Sequence, residues 1–402
     1  MRKLGNLKKF IASIHTSLEK LKTWPTKEAT LVHHNEADGC TSAAIIKVAL
    51  ERKGYKINFL CIEKLFPQVL EKIHKQKGAL IFYTDIGAFH SKFISELNKS
   101  KNLTVILDHH DTELATDSIV FNLDPELFEF SGEKDASSAT TCYLFAKELD
   151  PKNIDLAHLA IIGSAEIPGD ITGLNKIALE DAQKQNLVEV SGTIGKQKYK
   201  VKLPSGKISS TEASSKLSAL GSVGYYEKGP ELAIQACING IDEKIEKKIL
   251  ELQERRKVVG KKMLAILYKT KLKESEHIQW FHAKDVFKGM GVKVIGTFCS
   301  MLKFQTKLIN PSKYIVGFMN METTIPGYGK LEQPMTKVSM RVPAQLENMI
   351  NAKRILGASY LLPEASKLIG GFGDGHALAA SSIIPRGKEE ELIKNMEALL
   401  KR

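Results

Sequence analysis

Short apolar runs alternate with helix-like segments through the first 110 residues, and this alternation constrains the fold more than any other feature. The runs are "ATLVHH", "YKINFLCI", "GALIFYTDIG" and "NLTVILDHH". Strands that are apolar over most of their length are typical of parallel sheets, whose two faces are covered by the helices of right-handed crossovers. We therefore predict an α/β fold with a doubly wound, mainly parallel N-terminal sheet.

Acidic and histidine side chains follow three of these predicted strands. His34 follows the first strand, Asp85 the third, and Asp108, His109 and His110 the fourth. Parallel sheets bind ligands at the edge where the strands end, so these side chains are expected to converge on one crevice. Imidazole nitrogens and carboxylate oxygens together suit Mn²⁺ and similar divalent ions. Each strand end alone is an ordinary polar turn or helix cap, but three together favour a metal site.

The first of these strand ends continues into "HHNEADGCTSA", where His34, Glu36 and Asp38 occupy alternating positions. Gly39 permits a tight turn into the helix that follows. The pattern is typical of mixed nitrogen and oxygen coordination, and the simpler interpretation is a polar loop that caps a helix.

The rest of the chain is organised around a long charged helix. Residues 1–240 are expected to form the first domain, with a hairpin insertion at about residues 187–210, where the sequence alternates and contains Gly and Pro. A helix predicted over residues 241–270 connects to a smaller C-terminal α/β domain, residues 271–402. A long helix packed within one domain is the equally ordinary interpretation of 241–270.

The composition is that of a soluble cytoplasmic protein with a basic surface. Lysine and arginine outnumber the acids 58 to 46, giving a formal charge of +12, which fits a polyanionic ligand but equally fits simple solubility. Five scattered cysteines without a CxxC pair argue against a disulfide framework or a structural zinc site. The basic N-terminal segment lacks the apolar core of a signal peptide, and no run approaches the roughly 18 apolar residues of a membrane span.

These motifs, in this order, resemble those of the DHH phosphoesterase superfamily. The chain has HxExDG at residues 34–39, a strand-end aspartate at Asp85 and Asp-His-His at residues 108–110. Its "GGFGDGHALAAS" is similar to the GGxxGH signature of the DHH-associated domain, and "KVSMR" to the upstream strand of that domain. The resemblance extends over about residues 30–385, and it is strongest to archaeal RecJ-like single-strand exonucleases.

The resemblance implies a role for each matching residue. The metal ligands it implies, for two Mn²⁺ ions or alternatively Mg²⁺, are His34, Glu36, Asp38, Asp85, His109 and Asp170. The residues it implies for catalysis are Asp108, which supports the site, His110, which faces the scissile phosphate, and Arg341 and His376. The residues it implies around the phosphates of the substrate are Arg341, Gly370, Gly371 and His376.

Two of these assignments leave alternatives open. Glu36 stands where the superfamily usually has aspartate, and its extra methylene moves the carboxylate by more than ~1 Å unless the backbone compensates. An altered metal preference or a lost metal site is therefore an alternative to a complete two-metal centre. For the acid of the fourth motif, Asp170 is preferred to Glu166, which lies in the same segment.

Three functions fit the resemblance. The preferred one is a RecJ-like exonuclease that hydrolyses single-stranded DNA or RNA from an end and serves DNA repair. The alternatives are a phosphodiesterase of short oligonucleotides or cyclic dinucleotides, and a weakly active or inactive partner of replication or repair proteins. Chain length, insertion and charge favour the exonuclease. Homo-oligomer formation is left open. The aromatic residues considered for base stacking, for which a core position is the more common alternative, are Tyr225, Tyr226, Trp280 and Phe281.

Overall fold

The computed structural model describes residues 2–401, which form two compact units. The first unit comprises the described residues up to Gly221 together with Glu227–Ile249 and Pro326–Tyr328. The second comprises Ser222–Tyr226, Leu250–Ile325 and the described residues from Gly329 onward. Among residues 2–401, no helix combines the length and the apolar character that crossing a membrane requires.

The first unit is built on a five-stranded sheet in which all neighbouring strands are parallel, in the order β2-β1-β3-β4-β5. Its strands are β1 (Glu28–His33), β2 (Lys56–Cys61), β3 (Leu80–Thr84), β4 (Leu103–Leu107) and β5 (Val120–Asn122). The strand order reverses between β1 and β3, since β2 lies on one side of β1 and the later strands on the other. All residues of β3 and β4 are buried, as expected for strands covered on both faces. The predicted parallel sheet is confirmed.

Helices pack around this sheet. They are α1 (Arg2–Thr23), α2 (Ala37–Glu51), α3 (Pro67–His74), α4 (Ser91–Asn98), α5 (Ser138–Leu149), α6 (Ala157–Gly163), α7 (Gly173–Lys184), α8 (Ser210–Ser218) and α9 (Gly229–Asn239). Along α1, Phe10, Ile14, Leu18 and Leu21 are buried at the three- and four-residue spacing of an amphipathic helix. This basic helix therefore belongs to the core of the first unit.

The segment predicted as a hairpin insertion is a three-stranded antiparallel sheet. Its strands are β6 (Val188–Ser191), β7 (Lys198–Leu203) and β8 (Gly206–Ser209), with β7 in the centre. The extra strand arises because Leu203 pairs with Gly206 across a two-residue turn at Pro204 and Ser205. We refer to β6–β8 as the insertion sheet.

The predicted connecting helix is α10 (Glu243–Thr270), and its residues are divided between the two units after Ile249. The second unit contains a six-stranded sheet in the order β15-β16-β14-β11-β10-β9, in which only β10 and β11 are parallel. Its strands are β9 (Lys273–Glu274), β10 (Ile278–His282), β11 (Tyr314–Asn320), β14 (Met335–Arg341), β15 (Phe372–His376) and β16 (Ala379–Pro385), beside a two-stranded ladder of β12 (Thr324–Ile325) and β13 (Gly329–Lys330). Its helices are α11 (Lys293–Leu302), α12 (Ala344–Asn351), α13 (Ala358–Lys367) and α14 (Glu389–Leu400). The predicted fold class, a parallel α/β unit joined by a long helix to a smaller α/β unit, is confirmed.

Candidate metal centre

The strand ends of the first unit converge as predicted, beside the point where the strand order reverses. Nδ1 of His34, after β1, lies 3.4 Å from Oδ2 of Asp85, after β3. Nε2 of His109, after β4, lies 3.7 Å from Oδ1 of Asp85 and 3.5 Å from Oδ2 of Asp38. Four side chains from three strands and one helix thus share one small volume at the carboxyl edge of the sheet.

Asp38 reaches this volume from the first turn of α2 and is held there by the start of α5. Its two carboxylate oxygens accept hydrogen bonds from the backbone N–H groups of Ser138 (2.9 Å) and Ala139 (2.8 Å). These are otherwise unsatisfied donors at the positive end of a helix, so they orient the carboxylate and favour its negative charge. The contact needs close backbone approach, because a Cβ on Gly39 would lie 2.4 Å from the carbonyl oxygen of His34 and one on Gly163 would lie 2.4 Å from Oδ1 of Asp38.

Asp85 occupies a backbone conformation that is unusual for a residue with a side chain. Its φ is 61°, in the left-handed region, and its side chain is only 4% exposed. Its Oδ1 is buried without a hydrogen-bond partner, although a buried carboxylate oxygen normally has one. Strained backbone and an unsatisfied buried acceptor both carry a free-energy cost, and they persist where a ligand uses them.

The ring of His109 is oriented for ligation through Nε2. Its Nδ1 lies 2.8 Å from the carbonyl oxygen of Gly132 and 3.1 Å from that of Ala136, so Nδ1 carries the proton and donates it to them. Nε2 is then the atom with a lone pair, and it is the one that faces Asp38 and Asp85. Burial, followed by the charge on neighbouring His110, lowers the pKa of His109, which keeps the ring neutral as a metal ligand must be.

Asp108 supports the site without facing it. Its Oδ1 accepts from the backbone N–H of His109 (2.8 Å) and pairs with Nδ1 of His110 (2.7 Å), and its Oδ2 accepts from the N–H of Ala88 (2.9 Å). Burial acts to raise the pKa of Asp108, but His110, His109 and the Ala88 N–H outweigh it and hold this pKa below its ordinary value. The ring of His110, half-exposed, is thereby fixed through Nδ1.

The remaining histidine of the cluster has a different role. His33 is 1% exposed, and its Nδ1 lies 2.8 Å from the carbonyl oxygen of His34. Its ring packs edge-on against Phe59. Burial lowers the pKa of His33 to about 4, so it is a neutral core residue.

The residues that converge here fit a divalent cation. Separations of 3.4–3.7 Å between facing donor atoms are what ligands on bonds of about 2.0–2.2 Å to one ion would show. Burial raises the pKa of Asp38 well above its ordinary value, and the charge of Asp85 adds to this shift. His34, Asp38, Asp85 and His109 would hold the ion, and its charge would favour the ionised form of Asp38.

Asp170, the preferred acid of the fourth motif, contacts the insertion sheet. Its carboxylate oxygens accept from the backbone N–H groups of Gly195 and Gln197 (2.9 Å), at the turn between β6 and β7. Glu166, the alternative, instead contributes to the raised pKa of Asp38. The hydroxyl of Ser218 accepts from the N–H of Ala37 (3.1 Å) and donates to Oε1 of Glu166 (3.3 Å). Of the two acids of this segment, Glu166 is therefore the one whose charge acts on Asp38.

Glu36 is the residue immediately before α2. It is half-buried, and its side chain does not cap the helix by a hydrogen bond. Its charge contributes to the raised pKa of buried Cys40, for which burial is the main cause. Glu36 and Glu166, whose side chains are one methylene longer than those of Asp38 and Asp85, thus add two further acids near the site.

The residues matched in the second unit lie in one row of its sheet. Ala379 of β16 pairs with Arg341 of β14 on one side and with His376 of β15 on the other, so Arg341 and His376 lie about 10 Å apart across the sheet. The guanidinium donates to the hydroxyls of Ser300 (2.9 Å) and Ser339 (3.0 Å). His376, on the edge strand, is exposed.

The two glycines that precede β15 are needed for different structural reasons. Gly370 has φ of 76°, which disfavours a side chain. Gly371 has no room for one, since a Cβ would lie 2.7 Å from the carbonyl oxygen of Ile383.

Of the aromatic residues considered for stacking, Tyr225 and Phe281 are buried, so they serve the core as the alternative interpretation held.

Comparison with known proteins gives a family match for the N-terminal part of the chain. Residues 29–164 match the DHH family, N-terminal domain, which agrees with the resemblance seen in the sequence. An uncharacterized protein of Methanocaldococcus jannaschii is 25% identical over 95% of this chain and 98% of its own length.

Two solved structures share the fold. RecJ from Thermus thermophilus, in complex with Mn²⁺, superposes with a TM-score of 0.64 at 16% identity over 99% of this chain, which spans only 55% of that protein's length. An exonuclease RecJ bound to manganese superposes with a TM-score of 0.61 at 16% identity, over 98% of this chain and 94% of that one. At this identity the likeness is one of fold.

Proposed function

We propose that this chain is a metal-dependent phosphodiesterase of the RecJ type, which hydrolyses single-stranded DNA or RNA from an end. The observation that carries the proposal is the buried Oδ1 of Asp85, which has no hydrogen-bond partner and faces the lone-pair nitrogen of His109 at 3.7 Å. Two donor atoms held in this way are explained by a cation between them. The full ligand set proposed for two ions is His34, Glu36, Asp38, Asp85, His109 and Glu166.

We expect Mn²⁺ to be preferred over Mg²⁺, because His34 and His109 offer nitrogen atoms, which Mn²⁺ accepts more readily. When bound, divalent ions stabilise negative charge on the phosphate and increase the acidity of water. The acids would hold and orient the ions. Because Asp38 and Asp85 are buried, electrostatic interactions at this edge of the sheet are strengthened. RecJ structures in complex with Mn²⁺ or with Mg²⁺ support a divalent ion at this site.

The pair of Asp108 and His110 supplies the proton chemistry in this proposal. Asp108 accepts from Nδ1 of His110, so the proton that the ring can give or take is at Nε2. The ring is half-exposed, as a group that meets a substrate phosphate must be. We assign His110 to donate a proton to a phosphate or leaving-group oxygen, and Arg341 and His376 to bind the other phosphates of the substrate.

Cleavage of end-labelled oligomers tests the proposal. Metal-stripped protein should be inactive in EDTA and regain activity with Mn²⁺ more than with Mg²⁺, and DNA and RNA oligomers of two to about 20 nucleotides separate a nuclease from an enzyme of short substrates. His109→Ala should lower the rate by at least ~10²-fold, because it removes a ligand. Full activity in EDTA would contradict the metal site. A preference for dinucleotides with little salt dependence would favour the short-substrate enzyme instead. Association with replication or repair proteins and homo-oligomer formation stay predictions.

A further inference from the structure

The insertion sheet has one outward face that is lined by lysines. Along β7, Tyr199, Val201 and Leu203 are buried and the alternate residues are exposed. The exposed lysines of this face, which we call the lysine face, are Lys198, Lys200 and Lys202 of β7 and Lys207 of β8. Glu189, opposite Lys200 on β6, is the acid on this face, and it pairs with Lys207.

General solubility does not explain this arrangement. Lysines commonly protect the exposed edge strands of sheets from pairing with other chains, but β7 is the central strand of the insertion sheet. Facing residues of a sheet usually pair opposite charges, whereas Lys202 lies directly opposite Lys207, whose ion pair is with Glu189. Three lysines on a protected central strand, one facing another lysine, indicate an anion that this face binds.

The lysine face is held rigidly. Both carboxylate oxygens of Asp170 accept backbone hydrogen bonds from the turn at Gly195 and Gln197. The hydroxyl of Tyr199 accepts from the N–H of Ile171 (2.9 Å) and donates to the side chain of Gln197 (2.9 Å). A surface fixed in this way binds an extended ligand without first losing the conformational entropy of a mobile loop.

The same segment connects the lysine face to the metal centre. Asp170 lies four residues after Glu166, so their Cα atoms are at most ~14 Å apart. The turn that precedes β7 is thus anchored to the segment that carries Glu166.

We propose that the lysine face binds the sugar–phosphate backbone of single-stranded nucleic acid and holds the strand that the metal centre cleaves. Alternate residues of a strand are about 6.6–6.8 Å apart, a spacing comparable with that of successive phosphates in an extended strand, so the three lysines of β7 can meet three phosphates. The inference rests on the proposed function only in taking the substrate to be a nucleic acid chain. Binding can be measured with no catalysis at all.

The test is the triple variant Lys198→Gln, Lys200→Gln and Lys202→Gln. Its affinity for a fluorescently labelled 20-nucleotide deoxythymidine strand is measured on metal-stripped protein in EDTA, between 50 and 200 mM salt. Losing three phosphate contacts should reduce the slope of log affinity against log salt by about 2, at about 0.7 for each contact, and weaken binding about tenfold or more at the lowest salt.

The matched control removes the same charge elsewhere in the first unit. Its three substitutions, all at exposed lysines, are Lys9→Gln, Lys20→Gln and Lys92→Gln. This control should keep its affinity within about twofold and lose little of the slope, since scattered charges act only through the general field. Should the triple variant fold poorly, Lys200→Gln alone should still reduce the slope by about 0.7.

The outcomes separate this inference from the proposed function. An unchanged affinity and slope in the lysine variants, or an equal loss in the control, would overturn the lysine face even if the wild-type protein cleaves nucleic acid. Lysine-dependent binding by a wild-type protein that cleaves nothing would leave the lysine face standing and overturn the nuclease. A lysine-dependent loss for labelled polyglutamate but not for the oligonucleotide would identify an acidic polypeptide and overturn the inference.

Discussion

Replacing Asp85 by asparagine should remove most of the stabilisation that Mn²⁺ gives to the fold while changing the metal-free fold little. Asparagine tolerates the left-handed backbone of this position, where φ is 61°. Oδ1 has no hydrogen bond to lose, and the loss of the contact between Oδ2 and His34 at 3.4 Å is opposed by relief of the repulsion from Asp38. We expect these effects to leave metal-free stability within about 1 kcal/mol of wild type.

The effect on Mn²⁺ binding is larger. An ion at a hundred times its Kd stabilises a folded protein by about 2.7 kcal/mol. Loss of one ligand should weaken binding about a hundredfold, so the same concentration then equals the Kd of the variant and contributes about 0.4 kcal/mol. With about 2–4 °C per kcal/mol, the Mn²⁺-induced rise in Tm should be about 5–11 °C for wild type and about 1–2 °C for Asp85→Asn.

Thermal unfolding of metal-stripped protein with and without Mn²⁺ measures both quantities. Asp85→Ala separates charge from backbone strain, because alanine costs about 1–2 kcal/mol more in a left-handed conformation and should unfold earlier even without metal. Asp155→Asn, which removes an exposed acid paired with Arg52, should keep the full Mn²⁺ effect. If Mn²⁺ raised the Tm of Asp85→Asn as much as it raises that of wild type, the assignment of Asp85 as a ligand would be refuted.

Other substitutions test the rest of the site and the core beneath it. Glu36→Asp and Glu166→Asp each shorten an acid and should change the relative cleavage rates with Mn²⁺ and Mg²⁺; unchanged rates with both metals would mean that neither is a ligand. His110→Gln should slow cleavage about 10²–10⁴-fold with metal stoichiometry unchanged, and lost metal would contradict its role in proton transfer. Burial lowers the pKa of His74 to about 4, so between pH 4 and about 6.5 the unfolded chain binds one proton more than the folded one. This residue's share of the stability should rise with pH by up to about 3 kcal/mol across that window, and His74→Gln should remove it in urea unfolding.

The convergence of His34, Asp85 and His109 could be predicted from sequence because parallel strands that are apolar throughout can only be covered on both faces. Their ends must then meet at one edge, whatever the loops do. The exact order of strands was not needed for that prediction. The left-handed conformation of Asp85 could not be predicted, since it depends on how the loop after β3 packs beneath the end of β4.

The fourth-motif acid shows where sequence reasoning stopped. Asp170 and Glu166 are close in sequence, and spacing alone does not tell which one turns toward Asp38. A long-range contact holds Asp170, because the turn at Gly195 and Gln197 offers two backbone N–H groups that its carboxylate satisfies. A donor pair contributed by a turn 25 residues away leaves no local signal in the sequence.

Asp38 has two roles in this protein, one in the candidate metal centre and one in folding. Because its carboxylate also satisfies the first N–H groups of α5, exchanging it would leave two buried donors unsatisfied, at about 1–3 kcal/mol each. The side chain of Glu36 makes no capping hydrogen bond to α2, the helix that it precedes. In a lineage that no longer needed hydrolysis, Asp38 would still be kept because folding requires it. An aspartate retained at this position in a descendant would therefore reflect its role in folding. Activity would have to be judged from the neighbouring residues of the site.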